Sequence, residues 1–372
     1  MYRIYSGSTI LHHPNSPFIA EEAKISEEIN TQGSLDMVLV DPLSLNLRDP
    51  IEVYDDDGLI WRGRVMSIEN GLNRKKTVHC EGALAFLCDT IVRPFSFRGR
   101  PDDDTSATPT VNGLFHHFID IHNSELPSGD PRKFTIGEIT VTDPNNYIYR
   151  SSETAMTTWE AIQTRLIDTL GGYVYLSGPN LNIINYVSDF SAQSAQEIRF
   201  GENIVDLLQT DSAEDIVTVL YAYGAQYPEE DTDHYEPEPD TSDGGYEPWD
   251  GNRLFAVFAN LTAKDKWGVI NGTNTWDDIT LLENLETAAN AWLADNFASH
   301  VESLEVTAAD LSLLEASMDK LSVGVYVRVL CERLDIDLNM LCVRKETDLI
   351  QVSETRVSIG RAPTTMSGMV GG

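Results

Sequence analysis

The chain has 372 residues and a formal net charge of −33, from 26 Lys and Arg against 59 Asp and Glu. That balance excludes a tight grip on phosphate backbones, which needs clustered cations to release counterions. Hydrophobic residues make up 41% of the chain, enough for packed cores, yet no apolar run approaches the roughly 20 residues of a membrane helix.

The length predicts roughly two to four domains. Met1 to Gly7 lacks the basic stretch, apolar core and cleavage site of a secretory signal, so folding in a cytoplasm is expected. Cys80, Cys88, Cys331 and Cys342 sit at spacings that match no zinc motif. They are expected to be packed or free thiols.

From Lys24 to Gly82 the apolar pattern has a period of two, as antiparallel strands require. Ser34–Val40 reads as a strand that Asp41-Pro42 stops. Ile51 to Val65 reads as a hairpin in which Asp57-Gly58 supplies the positive φ angles of a tight turn. Val65–Glu69 pairs with Lys76–Glu81 across a polar loop, and Ala83–Asp89 reads as a short helical cap.

The Pro/Asp-rich stretch from Phe97 to Thr110 marks a boundary. Thr157-Thr158-Trp159-Glu160 is a capping box. Trp159, Ile162, Leu166, Ile167 and Leu170 then form one helical stripe that ends at Gly171-Gly172. Tyr173–Leu176 and Leu181–Tyr186 follow as a hairpin, and Ile216–Gly224 reads as a buried strand.

Tyr227 to Asp250 is an acidic insertion rich in Pro and Gly, expected to be a surface excursion. A helix opens near Thr280 and runs to about Phe297, with Leu285, Ala289, Trp292 and Leu293 on its apolar side. Ser303–Thr307, Val323–Val329, Leu338–Val343 and Arg356–Ile359 return to strands.

The expected fold class is α+β, mainly β, in the order β module, α+β module, β module, the first a small barrel or sandwich and the last a second small barrel resembling it. The expected boundaries are 1–96 for the first barrel and 97–205 for the first part of the α+β domain. A strand at 206–226 is expected to complete the second barrel. Residues 227–299 hold the acidic loop and helix of the α+β domain, and 300–372 the second barrel and tail.

Several segments in this order carry a resemblance. They are Asp41-Pro42-Leu43 with Asp49–Val53, Gly58–Val65, and Glu81–Asp89. Farther on come the helix with its Gly-Gly hairpin, Val217–Gly224, and Val323–Val327 with Asp337-Leu338 and Ile359-Gly360. Together they resemble phage tail proteins of the prophage-endopeptidase-tail family. The resemblance implies a fold similar to the baseplate hub of contractile tails, two small antiparallel β-barrels with an inserted α+β domain. It further implies a homotrimeric ring that closes the tail tube, contacts the distal tail and tape-measure proteins, and lets DNA pass. Three copies of two barrels would match a sixfold tube. The implied location is the virion tail, assembled in the host cytoplasm. Longer members carry lytic or receptor-binding domains after this region. A chain ending at Ser367–Gly372 is therefore expected to be either a short hub or part of a longer protein, and the family name does not imply an activity here.

No His-Glu-x-x-His, Gly-x-Ser-x-Gly or catalytic cysteine setting occurs. No catalytic, cofactor-binding or metal residue is assigned. His12-His13 and His116-His117 with Asp120 and His122 are the nearest approach to a ligand set. Adjacent histidines in a strand point to opposite faces, so a structural role is expected for them. Asp231, Asp233 and Glu236 lack the glycine and carboxylate spacing of a calcium loop. Asn260-Leu261-Thr262 and Asn271-Gly272-Thr273 match glycosylation acceptors without a signal peptide to give them meaning. Trp159 and Trp292 belong to helix stripes, which leaves Trp249, Trp267 and Trp276 as expected contact residues. Competing readings are a cell-wall hydrolase acting through carboxylates and a carbohydrate- or receptor-binding tail module.

Overall fold

Short segments that alternate apolar and polar residues build most of this chain. The structure, a computed structural model, describes residues 1–15, 20–40, 44–72, 74–98, 111–142, 149–210, 216–226, 253–277, 279–299, 303–310, 312 and 319–360. The Asp41-Pro42-Leu43 stop, the boundary at 99–110, the acidic insertion 227–250 with Trp249, and the tail Ser367–Gly372 lie outside these residues.

The N-terminal strands are β1 (Arg3–Ser6), β2 (Thr9–His12), β3 (Glu22–Glu28), β4 (Ser34–Val40), β5 (Pro50–Tyr54), β6 (Leu59–Asn70) and β7 (Lys75–Gly82). They run antiparallel in the order β3-β4-β7-β6-β5-β1-β2. On β4 the period of two is literal: Leu35, Met37 and Leu39 are buried, and Asp36 between them is exposed. Those three pack with Ile4, Ile25, Ile51, Val53, Val65 and Val78 in one cluster. A single core drawn from all seven strands requires the sheet to curl around it. Gly63 stands where β6 crosses β7 so closely that a Cβ would strike the Glu81 carbonyl.

The β5–β6 connection departs from the tight turn expected at Asp57-Gly58. Residues 55–58 make a wider loop in which Asp55 Oδ1 accepts the amides of Asp57 at 2.8 Å and Gly58 at 3.0 Å. Only Gly58 has positive φ, at 148°, so the Asp55 side chain rather than a paired positive-φ turn sets the reversal.

After the 3₁₀ turn Ala83–Asp89 come β8 (Ile91–Val92), β9 (Phe95–Arg98), α1 (Val111–Glu125), β10 (Thr135–Ile139), β11 (Tyr149–Ser152) and β12 (Met156–Thr157). The next helix starts as α2 (Thr158–Ile162), passes through a π turn at Gln163–Ile167, and ends as α3 (Asp168–Leu170). Thr157 caps it by accepting the Glu160 amide at 3.1 Å, as the capping box predicts. The chain stops at Gly171 (φ 71°) and returns as the hairpin β13 (Tyr173–Ser177) and β14 (Ile183–Val187), with β10 parallel to β14. Leu114, Phe115, Phe118 and Ile119 of α1 interlock with Ile162, Leu166 and Tyr186 in the core of this α+β unit.

The remaining elements are β15 (Ile198–Arg199), β16 (Ile204–Thr210), β17 (Val219–Gln226), β18 (Arg253–Ala259), α4 (Leu261–Trp267), β19 (Asn271–Thr275), α5 (Leu282–Ser299), β20 (Ser303–Ala309), β21 (Tyr326–Cys331), β22 (Ile336–Asp348) and β23 (Arg356–Gly360). Strands β16, β20, β23 and β22 form a second ladder around Val306, Val327, Val329, Val357 and Ile359. The two ladders join through β3 and β22, with Glu27 opposite Lys345 and Lys24 opposite Asp348, into one 13-stranded sheet. Among the described residues this sheet does not close on itself: β16 and β2 each pair on one side only.

The strand read at Ile216–Gly224 does not complete the second ladder. As β17 it pairs with β18 and β19 in a separate sheet, and β16 takes the place beside β20 instead. The reason is the apolar demand of one face. Leu220 and Ala222 pack onto Leu285, Ala289 and Leu293 of α5, so the strand is committed to that helix.

Candidate functional site: the edges and seams of the ladder

Two kinds of place stand out: unpaired strand edges, and polar seams where the units meet. On β16, Ile204 and Leu207 pack inward, while Val205 and Leu208 are 55% and 56% exposed on a strand whose outer edge is free among the described residues. Just before it, Phe200 is 49% exposed, with the Arg333 guanidinium 4.6 Å from its ring centre. The opposite edge, β2, is only four residues long and buries Leu11 and His12. Each edge presents a row of backbone donors and acceptors, a template for another strand.

At the seam between the ladders, the Lys345 ammonium on β22 donates to the Leu321 carbonyl at 2.5 Å and lies 3.4 Å from Asp310. Asp310 is buried, and it also accepts the Ser312 amide and hydroxyl and the Leu321 amide. Burial pushes the Glu27 carboxyl, opposite Lys345, above the usual carboxylate range, against the pull of that ammonium. A second link runs from Lys320 to Asp55 at 2.7 Å and to Asp57.

At the seam with the α+β unit, buried Arg64 pairs with Glu81 at 2.5 Å and with Asp89, which Arg48 also holds at 3.0 Å. Burial alone would push the Asp89 carboxyl up, but the Arg64 and Arg48 guanidinium groups bring it below its ordinary value. Arg62 donates to the carbonyls of Leu181 at 3.1 Å and Pro131 at 2.8 Å, with its guanidinium 5.7 and 5.8 Å from the ring centres of Phe86 and Phe134. Asn30 donates to Gly172 O at 2.9 Å and accepts the Val174 amide at 2.8 Å. A cavity of about 180 Å³ lies where these seams converge, lined by Glu27, Trp61, Arg62, Tyr175 and Phe190 among others.

The histidines do not come together. His12 accepts the Ala20 amide at 3.2 Å, and His13 the Asn15 amide at 3.0 Å. His117 packs against Phe95 and Phe118 on α1. His122 is fully buried between the Thr90 hydroxyl and the Arg132 carbonyl, each 3.0 Å away. Burial lowers the pKa of His12, His117 and His122. Among the described residues no group of three His, Cys, Asp or Glu is placed to hold a metal ion. Asp231, Asp233 and Glu236 lie outside the described residues.

All four cysteines are free thiols, and burial pushes Cys80 and Cys342 up to about 12. No helix among the described residues is long and apolar enough to cross a membrane. Trp276 departs from the expected contact role: it packs against the α5 core, since the chain must turn over that helix to reach it. Trp267 is half-buried, with the Lys266 ammonium 4.5 Å from its ring centre. The β3–β22 seam has no signature in the sequence, because strand pairing across more than 300 residues leaves no local signal.

Residues 192–368 match the model of the prophage endopeptidase tail family. No curated protein matches the sequence. Among solved structures, the chain is similar to a tail protein from Neisseria meningitidis MC58, at 15% identity and a TM-score of 0.67, over 97% of this chain and 96% of that one. It is also similar to the 43 kDa tail protein of prophage MuSo2 from Shewanella oneidensis, at 12% identity and a TM-score of 0.64, over 98% and 99% of the two chains. A third similar structure is prophage tail protein gp18 from Listeria monocytogenes EGD-e, at 12% identity and a TM-score of 0.59, over 97% and 94%. At these identities the likeness carries the fold and no more. Residues 192–368 thus carry the prophage endopeptidase tail region, and the mainly β fold of the whole chain is one it shares with tail proteins.

Proposed function

We propose that the protein is a structural subunit of a phage or prophage tail tip, a baseplate hub that assembles as a homotrimeric ring. The observation that carries this reading is the pair of edges, β16 and β2, that stay unpaired among the described residues at opposite ends of one ladder. An edge strand left bare is a liability unless something covers it. In a ring, β16 of one copy meets β2 of the next, a heterologous contact that closes when the rotation allows. Each copy then supplies two β-halves, 1–96 and 300–360 with β16, each curled on its own core in the manner of a small barrel. The α+β parts stand between them as insertions. Three copies offer six β-halves to a sixfold tail tube.

The partners of such a ring are the distal tail protein, the tape-measure protein and the tube, and its place is the virion tail after assembly in the host cytoplasm. With a net charge of −33, like-charge repulsion lets DNA pass without adhering. The work lies in interfaces rather than in bond-breaking groups.

Sedimentation of the full chain tests the reading. A species of three times the 41.4 kDa chain mass is expected. Ala309 donates to Asn203 O, so by register Leu208 bonds Glu305 and the Gln209 N–H faces outward. Gln209→Pro, which removes that outward donor from β16, is expected to shift the trimer to monomer while the circular dichroism spectrum stays unchanged. A wild-type chain that remains monomeric at every concentration, alone and with the tube protein, would sink the hub.

A further inference from the structure

The small sheet β18-β17-β19 has helix α5 on one face only. Its inner residues Leu220, Ala222 and Leu254 pack onto α5. Its outer face is ordered by register into three rows, the first made by Ala259, Val219 and Asn271. Val257, Tyr221 and Thr273 stand side by side in the second, and Phe255, Tyr223 and Thr275 in the third. Phe255 is buried and acts as the base, its ring 6.1 Å from that of Tyr221 and 5.1 Å from that of Tyr223. The two tyrosines are half-buried, Val257 is 47% exposed, and both threonines are exposed.

From the second and third rows we infer that this part of the face is a docking platform for a neutral oligosaccharide. The inference does not depend on the hub reading. An aromatic column on β17 and β18 lies next to a hydroxyl column on β19. A pyranose ring has an apolar C–H face and a rim of hydroxyls, so it needs both surfaces at neighbouring positions. Tyrosine supplies an apolar ring with a polar tip, and each threonine hydroxyl both donates and accepts.

Two further observations fix the class of partner. None of the six side chains in these two rows is charged, on a chain whose net charge is −33. Arg253, two residues before Phe255 and so on the same face, is already paired with Asp277, so the platform offers no unpaired charge of its own to a ligand. The size also decides. With strands about 4.8 Å apart and same-face residues about 6.8 Å apart along each, three columns and two rows span roughly 14 by 14 Å. That is about 200 Å², far below the ~800 Å² per partner of a stable protein interface, and ample for one or two sugar rings.

Saturation-transfer NMR and calorimetric titration of the full chain with chitotriose and maltotriose test the platform. Millimolar or tighter binding of one of them is expected. Tyr221→Ala should weaken it by about tenfold, and Thr273→Val several-fold, since both side chains reach solvent and carry little of the fold. Leu208→Ser on distant β16 should leave it unchanged. Absence of saturation transfer from both sugars at millimolar concentration would overturn the inference, as would binding that survives both variants. A Tyr221→Ala chain that changes its sedimentation coefficient without any sugar effect would make the face a chain–chain contact and likewise overturn it.

Discussion

Glu27 of β3 and Lys345 of β22 face each other directly across the seam that turns two ladders into one sheet. Lys345 is 87% withdrawn from solvent only because it spans to the Leu321 carbonyl and Asp310, so its charge is already committed. Glu27 is left with a partial partner, and burial raises its pKa above the ordinary 4.5. A carboxyl whose pKa is raised on folding adds stability below the unfolded value and loses it as pH climbs through the folded value. Glu27→Gln is therefore expected to raise the urea midpoint at pH 7, with the gain over wild type vanishing below about pH 4.5. Equal midpoints for the two proteins at pH 7 would show that Glu27 is not penalised in the fold.

Lys345→Met is the harsher change at the same seam. It leaves the Asp310 carboxylate buried without its cation and the Leu321 carbonyl without that donor. A loss of about 3 kcal/mol is expected in chemical unfolding, in keeping with breaking one side of a buried pair. Asp310→Asn in the Lys345→Met background should recover part of it, and no recovery would mean that the cost lies in packing.

Lys320 joins the Asp55–Gly58 loop to the C-terminal half, but half of its side chain is in water. Burial alone would raise the Asp55 carboxyl; the Lys320 ammonium and the Asp57 and Gly58 amides hold it below its ordinary value. Stability from such a group is present above the unfolded carboxylate pKa and fades as pH falls through the folded one. Exposure keeps the pair small, so Lys320→Met should cost under ~1 kcal/mol at low salt. Raising the salt to molar strength should remove most of the difference between variant and wild type, whereas a salt-independent cost would point to the lysine stem instead of its charge.

Much of the ladder was legible because its signals are local. Leu35, Met37 and Leu39 alternate with polar neighbours, and Thr157 with Glu160 announces a helix start. The α1 helix was missed although Val111, Leu114, Phe115, Phe118, Ile119 and His122 form a full apolar stripe. Polar His116 and His117 fall, in sequence, in the middle of that stripe and lower its apolar contrast. β19 was illegible for a different reason: Asn271-Gly272-Thr273-Asn274-Thr275 has turn composition, and it becomes a strand only because β17 offers it a parallel edge. The seams are illegible in principle, since Asn30 and Gly172 are 142 residues apart.

His122 carries a second pH prediction with its own sign. The Arg132 carbonyl can only accept, so Nε2 bears the proton and Nδ1 accepts from the Thr90 hydroxyl, which in turn accepts from Thr158 at 2.8 Å. Burial lowers the imidazole pKa, and the Arg132 carbonyl only partly opposes this. Folding thus disfavours the proton, and stability from this group falls as pH drops below the ordinary 6.5. His122→Phe should cost about 2 kcal/mol at pH 7.5, from the Thr90 hydroxyl and Arg132 carbonyl left without it. The same variant should lose less than wild type between pH 7 and pH 5. Parallel losses over that window would place the titration elsewhere.

Asn30 gives the sharpest separation between backbone and side-chain effects. Its φ of 57° suits Asn, Asp or Gly, so Asn30→Asp adds no backbone penalty. The amide of Asn30 both donates to Gly172 O and accepts from Val174 N, closing the N-terminal ladder onto the Gly-Gly turn. A carboxylate keeps the second bond and turns the first into a contact between two acceptors. Asn30→Asp should therefore cost about 1–2 kcal/mol, read as a drop of about 3 °C or more in the calorimetric transition of the α+β unit. Asn30→Gly, which keeps the backbone angle and loses both bonds, should fall at least as far. If Asn30→Asp melts with wild type while Asn30→Gly does not, the donated bond to Gly172 contributes nothing, and the Val174 amide alone holds the turn to the ladder.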